Sequence, residues 1–314
     1  MSETMHAIRQ QAFGGPEVLE LTEVDRPVPL PTEVLVRVRA VGVNPVEAVI
    51  RSGRFPLLGE PPFILGWDVC GMVADVEPGV TRFRPGDEVY GMPFFPRPAN
   101  AYAEYVAAPS RQLARKPASL SHAEAAALPL AGLTAWQALV DTAQVAAGQR
   151  VLIHGAGGGV GHLAVQIARA RGAYVIGTAS AAKHDLIASL GADELIDYRA
   201  ADFAAHVDGV DVVLDTIGGE VARRSIGVLR RGGLLVTIVG RRDVDLAVCT
   251  EAAGRRFAGV SVEPDYPALE ALADLAESGK LRMHLQATLS LAEAVKAHEL
   301  LESGSVIGKI ALTV

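Results

Sequence analysis

The run Val151-Leu152-Ile153-His154-Gly155-Ala156-Gly157-Gly158-Gly159-Val160-Gly161 is where this chain's chemistry is most legible. A short β-branched stretch enters a glycine cluster. A segment with Val160, Leu163, Ala164, Ile167 and Ala168 on one helical face leaves it, and Gly172 ends that helix. Glycines let a backbone approach an anion closely, and the unpaired N–H groups of a helix start point at it. The arrangement predicts a pyrophosphate site built from Ala156, Gly157, Gly158, Gly159, Val160 and Gly161. The spacing departs from strict G-x-G-x-x-G, because Ala156, Gly158 and Gly161 occupy the three key positions. A glycine turn can also join strand to helix for packing alone. The second apolar strand, Ala173 to Thr178, completes a βαβ unit of the length a dinucleotide site requires.

The end of that second strand bears on which dinucleotide. An acid about 20 residues past the glycine motif bonds the ribose diol of NAD. Here the chain reads Gly177-Thr178-Ala179-Ser180-Ala181-Ala182-Lys183, with no Asp or Glu before Asp185. Ser180 and Lys183 can instead bond and pair with a 2′-phosphate, which predicts NADPH. The alternative for Lys183 is a solvated helix lysine.

These residues need elements to hold them. From about Leu120 strands and helices alternate. The strands are Val151–His154, Tyr174–Thr178, Glu194–Asp197, Val210–Asp215, Gly233–Val239 and Phe257–Val262, and helices include Ala181–Leu190, Val221–Leu229 and Thr250–Arg255. Alternation of this kind predicts an α/β fold, a doubly wound parallel six-stranded Rossmann sheet. The first 120 residues instead show short strands, Ala101–Ala107 among them, broken by Pro and Gly turns, which predicts a barrel-like β domain. The expected division is 1–120, 121–263 and a tail, 264–314, whose period matches neither. The chain has 314 residues, is 50% hydrophobic and 21% charged, and carries a net charge of -7. That charge argues against nucleic acid or an anionic membrane as partner. The longest apolar runs are strand-sized and no secretion signal is visible, so a cytoplasmic protein is expected, with Cys70 and Cys249 as reduced thiols.

The chain resembles the medium-chain dehydrogenases/reductases, and within them the zinc-independent quinone oxidoreductases. The resemblance spans essentially its whole length. It rests on Gly42-Val43-Asn44-Pro45-Val46-Glu47, Ile50-Arg51-Ser52-Gly53 and Gly66-Trp67-Asp68-Val69-Cys70-Gly71. Further on come Arg84-Pro85-Gly86-Asp87-Glu88-Val89, Leu133-Thr134-Ala135-Trp136, the glycine turn and Gly308-Lys309-Ile310. It implies a GroES-like β-rich catalytic domain, to which the tail returns. Where zinc alcohol dehydrogenases place two cysteines and a histidine, this chain has Asn44, Trp67 and Leu130, and Trp and Leu cannot ligate zinc. No metal site is therefore expected. Without a Lewis acid, alcohol oxidation gives way to hydride delivery onto a small, apolar, electron-poor acceptor, a quinone or an enone.

The resemblance further implies that Tyr198 joins Ser180 and Lys183 at the phosphate, and that Asn44 lines the pocket beside the nicotinamide; the alternative for Asn44 is a cap on the turn before Pro45. Trp67 is expected to floor the acceptor site or to be buried structurally. The pocket aromatics Phe94, Phe95 and Tyr102 suit an apolar acceptor or domain packing. Thr134, Val239, Gly240 and Lys309 are further candidate cofactor contacts. His154 reads as a satisfied core histidine, and Arg51 as a surface or interdomain pair. Val49 stands where many relatives carry a tyrosine, so no side chain is assigned as proton donor. The open edge of the strand Phe257–Val262 predicts a homodimer. A protein of the same fold that binds NADPH without turnover, as a sensor or structural component, is the alternative.

Overall fold

The computed structural model of the protein describes residues 3–314. Contacts divide the chain into two compact units. One runs to Leu133 and resumes at Glu263–Ser278 and Met283–Val314; the other comprises Thr134–Val262 and Gly279–Arg282.

The first unit opens with strands β1 (Thr4–Gln10), β2 (Leu19–Asp25) and β3 (Glu33–Val43), helix α1 (Pro45–Arg51), then β4 (Phe63–Ile64), β5 (Val69–Val76), β6 (Glu88–Gly91), β7 (Tyr105–Pro109) and β8 (Leu113–Arg115). Helix α2 (His122–Ala127) follows, started by a capping box in which Ser121 and Glu124 satisfy each other's backbone N–H groups. Helix α3 (Pro129–Trp136) leads out. The strand expected at Ala101–Ala107 begins later, at Tyr105. Asn100 has φ 56°, and Tyr102 is drawn sideways, its N–H donating to Leu65 and its carbonyl accepting from Ile8.

The second unit carries β9 (Arg150–His154), α4 (Gly161–Ala170), β10 (Tyr174–Ala179), α5 (His184–Ser189), β11 (Glu194–Asp197), α6 (Phe203–His206), β12 (Val210–Asp215), α7 (Gly219–Val228), β13 (Leu229–Thr237), α8 (Val244–Ala252) and β14 (Arg256–Gly259). Its sheet runs β11-β10-β9-β12-β13-β14, all parallel, the doubly wound order of a Rossmann domain. Val151, Leu152 and Ile153 are fully buried, as a strand covered on both faces requires.

Three boundaries in this unit shift most from the sequence reading. The helix expected at Thr250–Arg255 starts at Val244, because Asp243 caps it by accepting from the Leu246 N–H. β13 starts at Leu229, directly after α7. β14 ends at Gly259, and the Val260 N–H donates to the Thr237 carbonyl of β13, on the side away from the open edge.

The chain returns to the first unit through α9 (Tyr266–Glu277), β15 (Leu285–Ser290), α10 (Ala294–Glu302) and β16 (Lys309–Thr313). There a seven-stranded sheet runs β15-β16-β3-β5-β6-β8, with β7 also on β3. β3 is its spine. Val34, Val36, Val38 and Ala40 point inward while Arg37 lies outside, the alternation of a half-buried strand. Antiparallel pairing sets Ile310 opposite Val43 and Val69 opposite Val41. Asn44, Lys309 and Asp68, each one step beyond those pairs, are brought together by register.

Candidate functional site

In the first unit the site is a buried polar cluster around Asn44. Asn44 caps α1, and its backbone N–H donates to Glu47 Oε2 at 2.8 Å. Its side chain is held at both ends: Nδ2 donates to Asp68 Oδ2 at 2.9 Å, and Oδ1 accepts from Lys309 Nζ. Lys309 Nζ also donates to the Val43 carbonyl at 2.8 Å and lies 3.8 Å from Asp68. Asp68 Oδ1 takes the Leu130 N–H at 2.7 Å, and the Tyr102 hydroxyl bonds Glu47 Oε2 at 2.7 Å and His298 Nε2 at 3.2 Å. Gly66 allows Tyr102 to approach. Its φ is 94°, and a Cβ there would lie 2.4 Å from the Tyr102 ring.

Burial dominates the electrostatics here. It pushes the Glu47 carboxyl up to about 7 and that of Asp68 up to about 6, against the pull of Lys309 and the hydrogen bonds. It also draws the Lys309 ammonium below its ordinary value, although Asp68 and Glu47 oppose this. His298 falls to about 3, through burial and then the nearby Arg51 charge, and so is neutral.

Trp67 lies fully inside, its indole N–H donating to the Arg97 carbonyl at 2.7 Å and its ring meeting Phe95 edge-on at 5.2 Å. Arg51 is neither at the surface nor between domains. It is buried within this unit and paired with Glu302 at 2.7 Å. Lys309, a candidate cofactor contact in the sequence, is 3% exposed, its ammonium turned to Asn44 and Val43.

In the second unit the candidates gather at the carboxyl edge of the parallel sheet. Gly155 follows β9 with φ 64°, and Gly161 opens α4 so closely above it that a Cβ would lie 2.1 Å from the Gly155 carbonyl oxygen. Between them lie Ala156, whose N–H donates to Thr178, and Gly158, whose N–H donates to Gly155. Gly159 and Val160 complete the turn. This tight cradle at a helix start fits a dinucleotide pyrophosphate.

Ser180 and Lys183 follow β10. The Lys183 stem runs over the turn, since a Cβ on Gly157 would meet its Cδ at 2.6 Å. Tyr198 and Arg199 follow β11, both exposed, with the Arg199 guanidinium 5.7 Å from the Tyr198 ring. Burial, and after it the Arg199 charge, pulls the Lys183 ammonium below its ordinary value. Lys183 and Arg199 thus form a basic pair at the ends of β10 and β11. Val239 is exposed after β13, and Gly240 donates to Thr237 Oγ1 at 3.0 Å. Thr134 lies within α3 and is buried. His154 is a satisfied core residue, bonded to Thr178 Oγ1 at 3.0 Å and Ser225 Oγ at 2.9 Å, and burial holds it neutral, near 4.

Arg199 and the exposed Ile217 join this edge without having been singled out from the sequence. In the first unit Glu47, Asp68 and His298 were likewise missed. Glu47 carried a signal, standing three residues after a helix-capping Asn. Asp68 stood only within the Gly66–Gly71 motif, with no role assigned, and His298 carried none.

Two family models match, an alcohol dehydrogenase GroES-like domain over residues 30–118 and a zinc-binding dehydrogenase over residues 190–312. The quinone oxidoreductase of Sus scrofa is 33% identical over 98% of this chain and 97% of its own. The solved quinone oxidoreductase of Coxiella burnetii shares 37% identity and a TM-score of 0.93, covering 99% of this chain and 100% of its own. The CurK enoyl reductase structure has a TM-score of 0.89 at 27% identity, covering 98% of this chain and 99% of its own. The chain belongs to the medium-chain dehydrogenase/reductase superfamily, whose Rossmann domain takes a nicotinamide cofactor. Within it the chain falls in the quinone oxidoreductase branch. Among the described residues no three or more His, Cys, Asp or Glu side chains converge as a metal site, and no helix is long and apolar enough to cross a membrane.

Proposed function

We propose that this protein is a zinc-independent oxidoreductase that uses NADPH to reduce a quinone or an activated alkene. One observation carries the reading. At the three positions where zinc relatives place ligands, each residue has another commitment. Asn44 is tied to Lys309 and Asp68, Trp67 donates to the Arg97 carbonyl, and Leu130, whose side chain has no ligand atom, gives its backbone N–H to Asp68. With no Lewis acid to polarise an alcohol oxygen, an acceptor that is already electron-poor is the reaction partner this chemistry suits.

The turn Gly155–Gly161 would hold the pyrophosphate through backbone N–H groups. Ser180, Lys183, Tyr198 and Arg199 would hold a 2′-phosphate, and Thr134, Val239, Gly240 and Ile217 would line the rest of the cofactor's path. When bound, the cofactor supplies the hydride. Asn44 would serve by fixed hydrogen bonding near the reacting atoms, stabilising charge as it develops on the acceptor oxygen. Trp67 would support that pocket by packing, and water would supply the proton. The relatives named quinone oxidoreductase and enoyl reductase support both acceptor classes.

The open edge of β14 supports a homodimer, since an unpaired β-prone strand seeks a partner. Light scattering should return twice the chain mass of 32.9 kDa, and a monomer at micromolar concentration would exclude it. The central experiment is loss of NADPH absorbance with a panel of quinones and enones. Turnover is expected with at least one class; tight NADPH binding without turnover across the panel would replace the enzyme with a sensor.

A further inference from the structure

The Asn44 side chain lies between one cation and one anion, and this fixes more than its position. A carboxamide has two faces of opposite character, a carbonyl that accepts and an NH2 that donates. The Lys309 ammonium has only donors, and it meets Oδ1; the Asp68 carboxylate has only acceptors, and it meets Nδ2 at 2.9 Å. Rotating the amide by half a turn would set NH2 against ammonium and carbonyl against carboxylate. All three residues are almost wholly buried, so water cannot mediate the reversed arrangement cheaply. Lys309 and Asp68 reach Asn44 from different strands. Lys309 comes with β16, whose Ile310 pairs with Val43, and Asp68 directly precedes β5. Lys309 Nζ is further anchored by the Val43 carbonyl at 2.8 Å, one residue from the amide it orients.

We propose that Lys309 is a positioning residue, which together with Asp68 locks the Asn44 carboxamide in a single flip state and so leaves its second Nδ2–H as a fixed donor. This rests on the reading above that Asn44 serves the acceptor site. Lys309 then acts through Asn44 rather than by binding cofactor directly. A misdirected amide would weaken the step that depends on its orientation, leaving cofactor affinity, which belongs to the second unit's turn and basic pair, nearly intact.

The test is a double-substitution cycle with a readout on the free protein. Asn44→Ala and Lys309→Met should each lower kcat with a quinone or enone, by on the order of 100-fold where orientation is lost. NADPH affinity should stay within about twofold in both, because the phosphate-binding residues are untouched. Lys309→Met added to Asn44→Ala should cause little further loss, whereas a merely structural lysine would cause the same loss in both backgrounds. In the protein without cofactor, hydrogen exchange of the Asn44 side-chain amide, followed by 15N NMR, should speed up by at least about tenfold in Lys309→Met as the lock opens.

Should Lys309→Met not fold, the charge-neutral pair Asp68→Asn with Lys309→Met removes cation and anion together and enters the same cycle. Additive losses, a silent Lys309→Met or unchanged amide exchange would overturn the role of Lys309 while leaving that of Asn44 standing. A silent Asn44→Ala would instead remove the reading of Asn44, and the positioning role with it.

Discussion

The glycine turn after β9 is built within one short stretch, Val151 to Gly161, almost entirely from backbone. The Asn44 cluster draws on β3, α1, the residue before β5, the segment around Tyr102, α10 and β16, almost entirely through side chains. The turn would bind by offering N–H groups that no helix can satisfy internally, so it carries little electrostatic cost without a ligand. The cluster holds two carboxyls against one ammonium away from water, and its order depends on every member being present. Substitutions should therefore act differently in the two places. In the cluster they should unfold or loosen the domain; at the turn and its basic rim they should cost binding and leave the fold largely alone.

The largest effect should come from Asp68→Ala. It removes the anion beside Lys309 and leaves both the Asn44 Nδ2–H and the Leu130 N–H without their acceptor, all in a buried setting. Breaking a buried pair in this way costs roughly 3–5 kcal/mol. Urea denaturation should show that loss, and a change below about 1 kcal/mol, the size of a surface pair, would mean that the cluster does not hold the domain together.

Next comes the acid–base behaviour of Glu47. Its carboxyl sits near 7 in the folded chain against an ordinary value of 4.5. The folded state therefore retains a proton that the unfolded state releases, and this stabilising contribution fades as pH rises from about 4.5 to about 7. Burial sets this value; the groups facing the carboxyl are the Tyr102 hydroxyl and the Asn44 N–H bonded to it, then Lys309 and Asp68, with neutral His298 beyond Tyr102. His298 and His154 work the other way. Both are held neutral below their ordinary value, so their contribution is lost as pH falls through about 6.5 and below. Glu47→Gln isolates the first trend. Relative to the natural chain it should gain stability between about pH 5 and pH 8, by an amount on the order of 1–3 kcal/mol. A difference that is flat across that range would show Glu47 ionised at an ordinary value.

How much of this was legible in the sequence follows from how each region is made. The turn and the six strands of the parallel sheet lie in continuous stretches, where residue type reports backbone need directly. Asn44 was visible through its motif. Asp68 was not assigned a role, because nothing near it in sequence says that β5 will set it against Gly42 and that β16 will deliver Lys309 from the far end of the chain. Lys309 read as a cofactor contact for the same reason: a lysine in a short motif does not reveal which way a strand register will turn it. Arg51 misled likewise, since an arginine in a helix usually reaches solvent and only the fold shows that this one is buried against Glu302. The strand and helix ends that shifted, at Tyr105, Val244 and Gly259, depended on a positive φ, a cap and a returning N–H.

In the second unit Gly161→Ala should act on binding and, less severely than Asp68→Ala, on folding. Its Cβ would fall 2.1 Å from the Gly155 carbonyl oxygen, a backbone atom that cannot swing aside. Opening the turn to relieve that contact should cost about 1–3 kcal/mol, and it would splay the N–H groups meant for the pyrophosphate. NADPH and NADH should weaken together, by about tenfold or more, when measured by calorimetry. Equal affinities in the two chains would place the pyrophosphate elsewhere.

The smallest effect is the most selective. Lys183 and Arg199 stand at the ends of neighbouring strands, with Ser180 and Tyr198 beside them and no acid between Thr178 and Lys183. Lys183 is already drawn below its ordinary value by burial and then by the Arg199 charge. A 2′-phosphate would satisfy both; a ribose hydroxyl would satisfy neither. NADPH should therefore bind at least about tenfold more tightly than NADH, a difference of about 1.4 kcal/mol. Lys183→Ala should remove most of that preference by weakening NADPH and leaving NADH nearly unchanged. Its stem also lies over Gly157, so some loss of packing at the turn is shared by both cofactors. The ratio of the two affinities, rather than either alone, is thus the quantity to follow. A ratio that stays constant while both affinities fall would make Lys183 part of the turn's packing and leave the 2′-phosphate to Arg199 and Ser180, which Arg199→Ala would then reveal.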